Sequence, residues 1–389
     1  VILSIARQRR MTRITTLSRR SFLAGAGSLA VARVQGRVAQ TDEDRTVLEI
    51  LCWPGYDEPD ILAPFTERTG VEVKATRIGA NDEFFLFLRA GGLGRYDLIT
   101  PHNGVVVPLA EAGLIQPLDP NLIPNAADLF PRFRWPDWVR SDDQVWGVPF
   151  LWGTSPMVYL ADQFEQPPES WRVVEEKRFQ GKVAMTEDGL GHLMLWNYVL
   201  GHADPTRVTV AELNETTDYL IELKSEQAIA FVASVTELVP VLASGRAWIS
   251  TIGWEAAPWL PGADGRLRTT HPAPGDYSFC DNLCIPTQAP HPDLAHALID
   301  HLLSPEIQAT LMDRLKRGTV NQLAVDLLSD DARGLYDYGD LDAVFAVSPL
   351  RGFPPLTNEG NGIATYVDWV KAWERVRFTP MASGLTSGT

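Results

Sequence analysis

Short apolar runs alternate with amphipathic stretches along most of the chain. Val47-Leu-Glu-Ile-Leu-Cys-Trp53 stays apolar up to Pro54-Gly55 and predicts a strand feeding a turn. Asp60 to Thr69 carries Ile61, Leu62 and Phe65 and ends at Gly70, the pattern of a short helix with a glycine stop. Val71–Ala75 alternates as a second strand, Asp82–Ala90 reads as a helix, Tyr96–Thr100 as a third strand and Val105–Ala112 as a further helix. Residues 120–146 are rich in Pro and Trp, lack periodicity and predict a long excursion. Alternation resumes with strands at Lys182–Thr186, Ala228–Phe231 and Ala247–Thr251. Helices are predicted at Gly191–Leu200, Val208–Leu223 (one or two) and Glu237–Ser244. Asp281–Pro286 reads as a strand. Pro292–Leu303 is strongly amphipathic, Ser304-Pro305 opens another helix as N-cap and first residue, and a last helix falls around Tyr366–Val376. Strands alternating with short helices predict βαβ units and parallel sheets, here in two blocks.

The N-terminus follows a different rule. The first 39 residues hold eight arginines and no acidic residue, leaving 26 basic against 49 acidic residues in the remainder. A basic stretch ends in Ser18-Arg19-Arg20-Ser21-Phe22-Leu23, a mildly apolar run follows to Ala32, and Ala30, Ala32 and Ala39 offer small residues for cleavage. This order is that of an export signal, and the paired arginines resemble a twin-arginine address. The glycines of Gly25-Ala-Gly-Ser-Leu-Ala30 mimic a dinucleotide turn, but no strand precedes them.

The net charge of −15 argues against a nucleic-acid footprint, which is basic. No stretch reaches the roughly 18 apolar residues of a spanning helix. The seven histidines are scattered without metal-ligand spacing, and no C-x-x-C, G-x-S-x-G or Walker loop occurs. Neither a metal, a cofactor nor a catalytic residue is therefore expected. Cys280 and Cys284, on one face of a strand, would lie about 13 Å apart, too far for a disulfide, and are expected to pack as small hydrophobes. The chain holds 12 tryptophans, and Trp53, Trp152, Trp254 and Trp259 stand at predicted strand ends or beside Gly and Pro, where open α/β sheets bind ligands. With acidic loops nearby they suggest an aromatic pocket attractive to cations.

In order, Trp53-Pro-Gly-Tyr56, Phe65-Thr-Glu-Arg-Thr-Gly-Val71, Tyr96-Asp-Leu-Ile-Thr-Pro101, Gly113–Asp119, Val148-Pro-Phe-Leu-Trp-Gly-Thr154, Asp281-Asn-Leu-Cys-Ile-Pro286 and Leu302–Gln308 resemble the solute-binding proteins of ATP-driven uptake systems, of the polyamine (spermidine/putrescine) type. The resemblance spans residues 47–330. It implies the two-lobed periplasmic binding protein fold of type II: each lobe a mainly parallel sheet flanked by helices, with the ligand cleft between. Residues 1–39 are then the signal, 46–149 plus 281–318 the first lobe, 150–280 plus 319–378 the second, and 379–389 a tail.

The resemblance also implies ligand positions. The aromatic at the first strand end is Trp53, with Tyr56 nearby. An acidic anchor for an ammonium group is Asp281, with Phe279 where the family has tryptophan. Asp188 is kept, but an expected glutamate is Gly191, and an acidic residue of the Trp53 turn is Gly55. His102 and Asn103 replace a pocket Ser or Tyr, Trp152 and Trp254 supply further aromatics, and Arg317 falls near a family tyrosine. His102 and Arg317 are expected to add donors. The implied function is delivery of a small cationic or amine-containing solute to the permease subunits of an importer in the periplasm, after twin-arginine export, by a monomer that catalyses nothing. The alternatives are a zwitterionic or anionic solute such as an amino-acid derivative, a ligand sensor, or an exported enzyme.

Overall fold

A computed structural model describes residues 46–233, 235–252 and 265–381. The signal expectation for residues 1–39, and Trp254 and Trp259, lie outside the described residues.

Two α/β lobes are built around separate cores. In the first, the apolar Val47–Cys52 strand lies between Glu72–Arg77 and Leu98–Ile99, both parallel to it. The Pro59–Thr69 helix buries Ile61, Leu62 and Phe65 against this sheet and stops at Gly70, which takes a left-handed φ of 77° that suits glycine. The third strand is shorter than the sequence predicts. Before Leu98, Asp97 N still donates to Glu49 O at 2.7 Å, while its carboxylate accepts from the amides of Glu49 and His291. The excursion over residues 120–146 forms short 3₁₀ turns and a small hairpin that close the core with Ala126, Leu129 and Phe133.

In the second lobe the sheet order is Ala228–Val232, Val183–Thr186, Ile249–Ser250, Met157–Leu160, Leu267–Thr270; only Met157–Leu160 runs against the others. The Gly189–Leu200 helix is buried on most of its circumference because the sheet, the Val210–Gln227 helix and the Tyr366–Phe378 helix enclose it. Val210–Gln227 is one helix, opened by a Thr209/Glu212 capping box. Buried Lys224 donates from Nζ to the carbonyls of Val376 (3.0 Å) and Arg377 (2.7 Å) and so caps the C-terminal helix where its dipole is negative.

Three segments cross between the lobes at Ser278. Thr154 pairs with it in antiparallel register, Leu350 bridges it in parallel, and its Oγ donates to Ser348 O at 2.6 Å. Buried Asp276 accepts from Ser348 Oγ and lies 2.8 Å from His271 Nδ1, which ties the crossing strands together.

Several expectations need correction. Residues 320–345, expected in the second lobe, pack in the first core: Val320, Ala324, Leu328, Leu341 and Phe345 join Phe133, Phe150 and Trp152. Ser304 stands at the N-cap and Pro305 opens the helix as expected, but the Ser304 Oγ donates backwards to His301 O at 2.7 Å and makes no capping bond. Cys280 and Cys284 do not share one strand face. A bulge follows Asp281, the strand ends at Leu283, and the two thiols sit in different clusters. All three cysteines are free and buried.

Candidate functional site

A cleft of about 730 Å³ opens between the lobes. From the first lobe it takes Trp53 and Tyr56 at the end of the first strand, Asp82, His102, Phe279 and Asp281 on the crossing strand, and Arg317. From the second it takes Glu187, Asp188 and the start of the Gly189–Leu200 helix, then one face of the C-terminal helix. Arg351 and Phe353 join from the third crossing segment.

Asp281 is the buried acid of the cleft. The bulge beside it and a bridge to His102 aim it inward, and it accepts a hydrogen bond from Tyr56 Oη. Burial pushes its carboxyl up to about 6, against the Tyr56 bond and the positive charges of Arg351 and Arg317, which hold it down. Burial and the adjacent Asp281 push the Tyr56 phenol upward, so it remains a donor.

Asp188 performs two tasks. Its Oδ1 accepts from Gly191 N at 2.9 Å and caps the Gly189–Leu200 helix, while Oδ2 stands 3.5 Å from Tyr277 Oη and 4.0 Å from Arg351 Nη1. A Cβ on Gly191 would stand 2.1 Å from Asp188 Oδ2 and 2.3 Å from Tyr277 Oη, so a glutamate here would have to displace both side chains. Gly55 has φ +95° and faces Leu315, which accounts for the second missing acid.

The walls are aromatic. Trp53 is fixed by Nε1 donating to Thr100 O at 3.0 Å and by an edge contact with Phe84. Phe279 lies over Gly153, with the Arg317 guanidinium 5.5 Å from its ring centre. Opposite them, Phe353 stacks on Tyr366, and Trp373 stacks on His192.

Seven of the ten residues singled out from sequence line this cleft: Trp53, Tyr56, His102, Asp188, Phe279, Asp281 and Arg317. Trp152 does not. It is fully buried in the first core, with Nε1 donating to Thr319 O at 2.9 Å. Asn103 lies behind the cleft, where Nδ2 donates to Arg351 O and Oδ1 accepts from Cys280 N. His102 is no donor to the cleft as expected: Nδ1 lies 3.0 Å from Gly104 N and Nε2 2.9 Å from Arg351 Nε, and the ring can accept from only one of them. Burial and the Arg351 charge hold its pKa well below the usual range, so the ring is neutral. Sequence reasoning missed Arg351 and the place of the predicted C-terminal helix in the cleft wall. The available signal was Tyr366, Val370 and Trp373 at helical spacing, a second apolar stripe beside the buried Trp369, Ala372 and Val376.

Among the described residues no cluster of His, Cys, Asp and Glu is placed to hold a metal ion, and no helix is long and apolar enough to cross a membrane.

Two lobes with a charged, aromatic-walled cleft at their crossing strands define a hinged small-molecule binding protein. Residues 60–333 match the bacterial extracellular solute-binding protein family, and the chain belongs to it. It is 25% identical over 343 residues to the putrescine-binding periplasmic protein PotF of Escherichia coli K12, covering 82% of this chain and 90% of that one. It is 24% identical over 311 residues to a spermidine/putrescine-binding periplasmic protein of the same strain, covering 79% and 86%. A solved structure described as a putative spermidine/putrescine ABC transporter from Listeria monocytogenes superposes with a TM-score of 0.73 at 22% identity, over 86% of this chain and all of that one.

Proposed function

We propose that this protein captures a small amine-bearing solute outside the cytoplasm and presents it to the permease subunits of an ABC importer, without chemistry. The observation that carries this reading is the buried Asp281–Tyr56 pair at the floor of an aromatic-walled cleft. A buried carboxylate with flanking π-faces favours an ammonium group. Among the described lining residues, Asp82, Glu187, Asp188, Asp281 and Glu374 outnumber Arg317, Arg351 and Arg377, which leaves an acidic excess. The polyamine names of the relatives agree with this charge. Ligand binding closes the lobes about Ser278, and the closed face is what a permease reads. On this reading the first lobe comprises residues 46–154 and 278–318 together with 319–347, because Phe150, Trp152 and Cys280 pack in its core. The second follows from 155–277 and the C-terminal helix. The protein acts as a monomer in the periplasm, and Arg19-Arg20 supports delivery there by the twin-arginine route.

The test is a calorimetric and thermal-shift titration with putrescine, cadaverine, agmatine, spermidine and basic amino acids, at pH 7.5 and at pH 5. At least one of them must raise the melting temperature, since a ligand that binds only the folded state stabilises it. Silence with all of them overturns the reading.

The pH dependence has a defined sign. The amine pairs with ionised Asp281, so affinity falls by up to about tenfold per unit as the pH drops below about 6. In the ligand-free protein the same group acts the other way. Its folded pKa of about 6 lies above the unfolded one, so the folded state binds the extra proton between pH 4 and 6. Its contribution to stability therefore declines as the pH rises through that window, while the ligand-induced shift grows.

A further inference from the structure

The amine reading leaves one group in the cleft floor unused. Arg351 arrives on the third crossing segment, and its side chain is 11% exposed. Its Nε donates to His102, but Nη1 is buried without any hydrogen-bond acceptor, and the nearest carboxylate oxygen, Oδ2 of Asp188, is 4.0 Å away. The Tyr277 ring lies 4.9 Å from its Cζ and gives no lone pair to Nη1. A neutral imidazole has one acceptor nitrogen, so His102 cannot serve Gly104 N and Arg351 Nε together. Asp188 is held back by the helix it caps. A buried guanidinium with an unmade bond is costly, and its planar fork matches a carboxylate. Arg317 stands near Asp281 as well, so the floor pairs two carboxylates with two guanidiniums. It is balanced rather than acidic, and the acidic excess sits at the mouth with Asp82 and Glu374.

We propose that the solute carries a carboxylate beside its amine, and that Arg351 receives the carboxylate while Asp281 receives the ammonium group. This rests on the amine-binding reading above and narrows it from polyamines to zwitterions. A solute with only cationic groups would meet like charges at Arg351 and Arg317.

The test uses pairs that differ by one carboxylate: ornithine with putrescine, lysine with cadaverine, arginine with agmatine. 4-Aminobutyrate is added as the acid of similar length to putrescine. Each is titrated into wild-type, Arg351→Met and Arg351→Lys protein. In at least one pair the acid is expected to bind tenfold or more tightly than its amine. Arg351→Met then weakens the acid at least tenfold and leaves the amine unchanged or tighter, and Arg351→Lys retains part of the preference. Opposite responses of acid and amine distinguish a carboxylate contact from damage to the fold. Amines binding as tightly as their acids in every pair, or an equal fall for both in Arg351→Met, overturns the proposal and leaves the amine reading standing. Silence with every compound overturns both.

Discussion

Replacing Asp281 by asparagine is expected to weaken binding of an amine solute by about 2 kcal/mol, roughly thirtyfold. The amide fits the same space and still accepts from the Tyr56 hydroxyl, so the change removes charge and little else. Two effects add. The ammonium loses a charge-assisted partner in a buried site, where such bonds are strongest. Arg351 and Arg317, which both act on Asp281, lose a counter-charge and make the floor net positive. Tyr56→Phe is the complementary control. It keeps the carboxylate but removes the bond that holds its pKa down, so the midpoint of the acid-side loss of binding moves to higher pH. Titration calorimetry at pH 7.5 checks the first variant and a pH series the second. An Asp281→Asn protein that binds within twofold of wild-type would remove Asp281 from the site.

Much of the architecture is legible in the chain because its signals are local. Gly70 stops the first helix, and the apolar run before Trp53 is the central strand of its sheet. Trp53, Tyr56 and Asp281 reach the cleft because they stand at strand ends or beside a bulge, where the backbone turns toward the lobe interface. What fails is long-range. Residues 348–353 have no periodicity, and nothing local shows that they cross between lobes, so Arg351 is invisible until the crossing strands are assembled. The 320–345 segment is misplaced for the same reason, since which core a helix joins depends on a chain crossing and not on its own pattern. The glycine departures at 55 and 191 look in the sequence like lost ligand contacts. In the structure they are steric: one has a left-handed φ, and the other makes room for the Asp188 cap and the Tyr277 hydroxyl.

Trp152 shows a different limit, and its replacement carries the largest stability effect expected in this chain. The Val148–Thr154 strand is buried on both faces, so an aromatic there faces core whichever way it points, and alternation cannot separate wall from interior. The indole lies 4.3 Å from the Tyr336 ring and 4.9 Å from Phe345, between ring centres. Gly318 approaches so closely that a Cβ there would sit 2.2 Å from the indole. Trp152→Ala leaves a cavity between the Tyr336 and Phe345 rings, and it strips Thr319 O of its donor. The expected loss is about 3–5 kcal/mol, read from the shift of the urea midpoint. Trp152→Phe keeps most of the volume and loses less. Affinity per folded molecule should change little in either variant, because the indole makes no wall of the cleft; a small change arrives through Arg317, next to the Gly318–Thr319 strand that Trp152 anchors, or through Phe279 and Asp281, which flank the Cys280 that pairs with Trp152. A core residue lowers stability and spares binding, whereas a ligand residue does the reverse. A Trp152→Ala protein of unaltered stability with tenfold weaker binding would return Trp152 to the cleft.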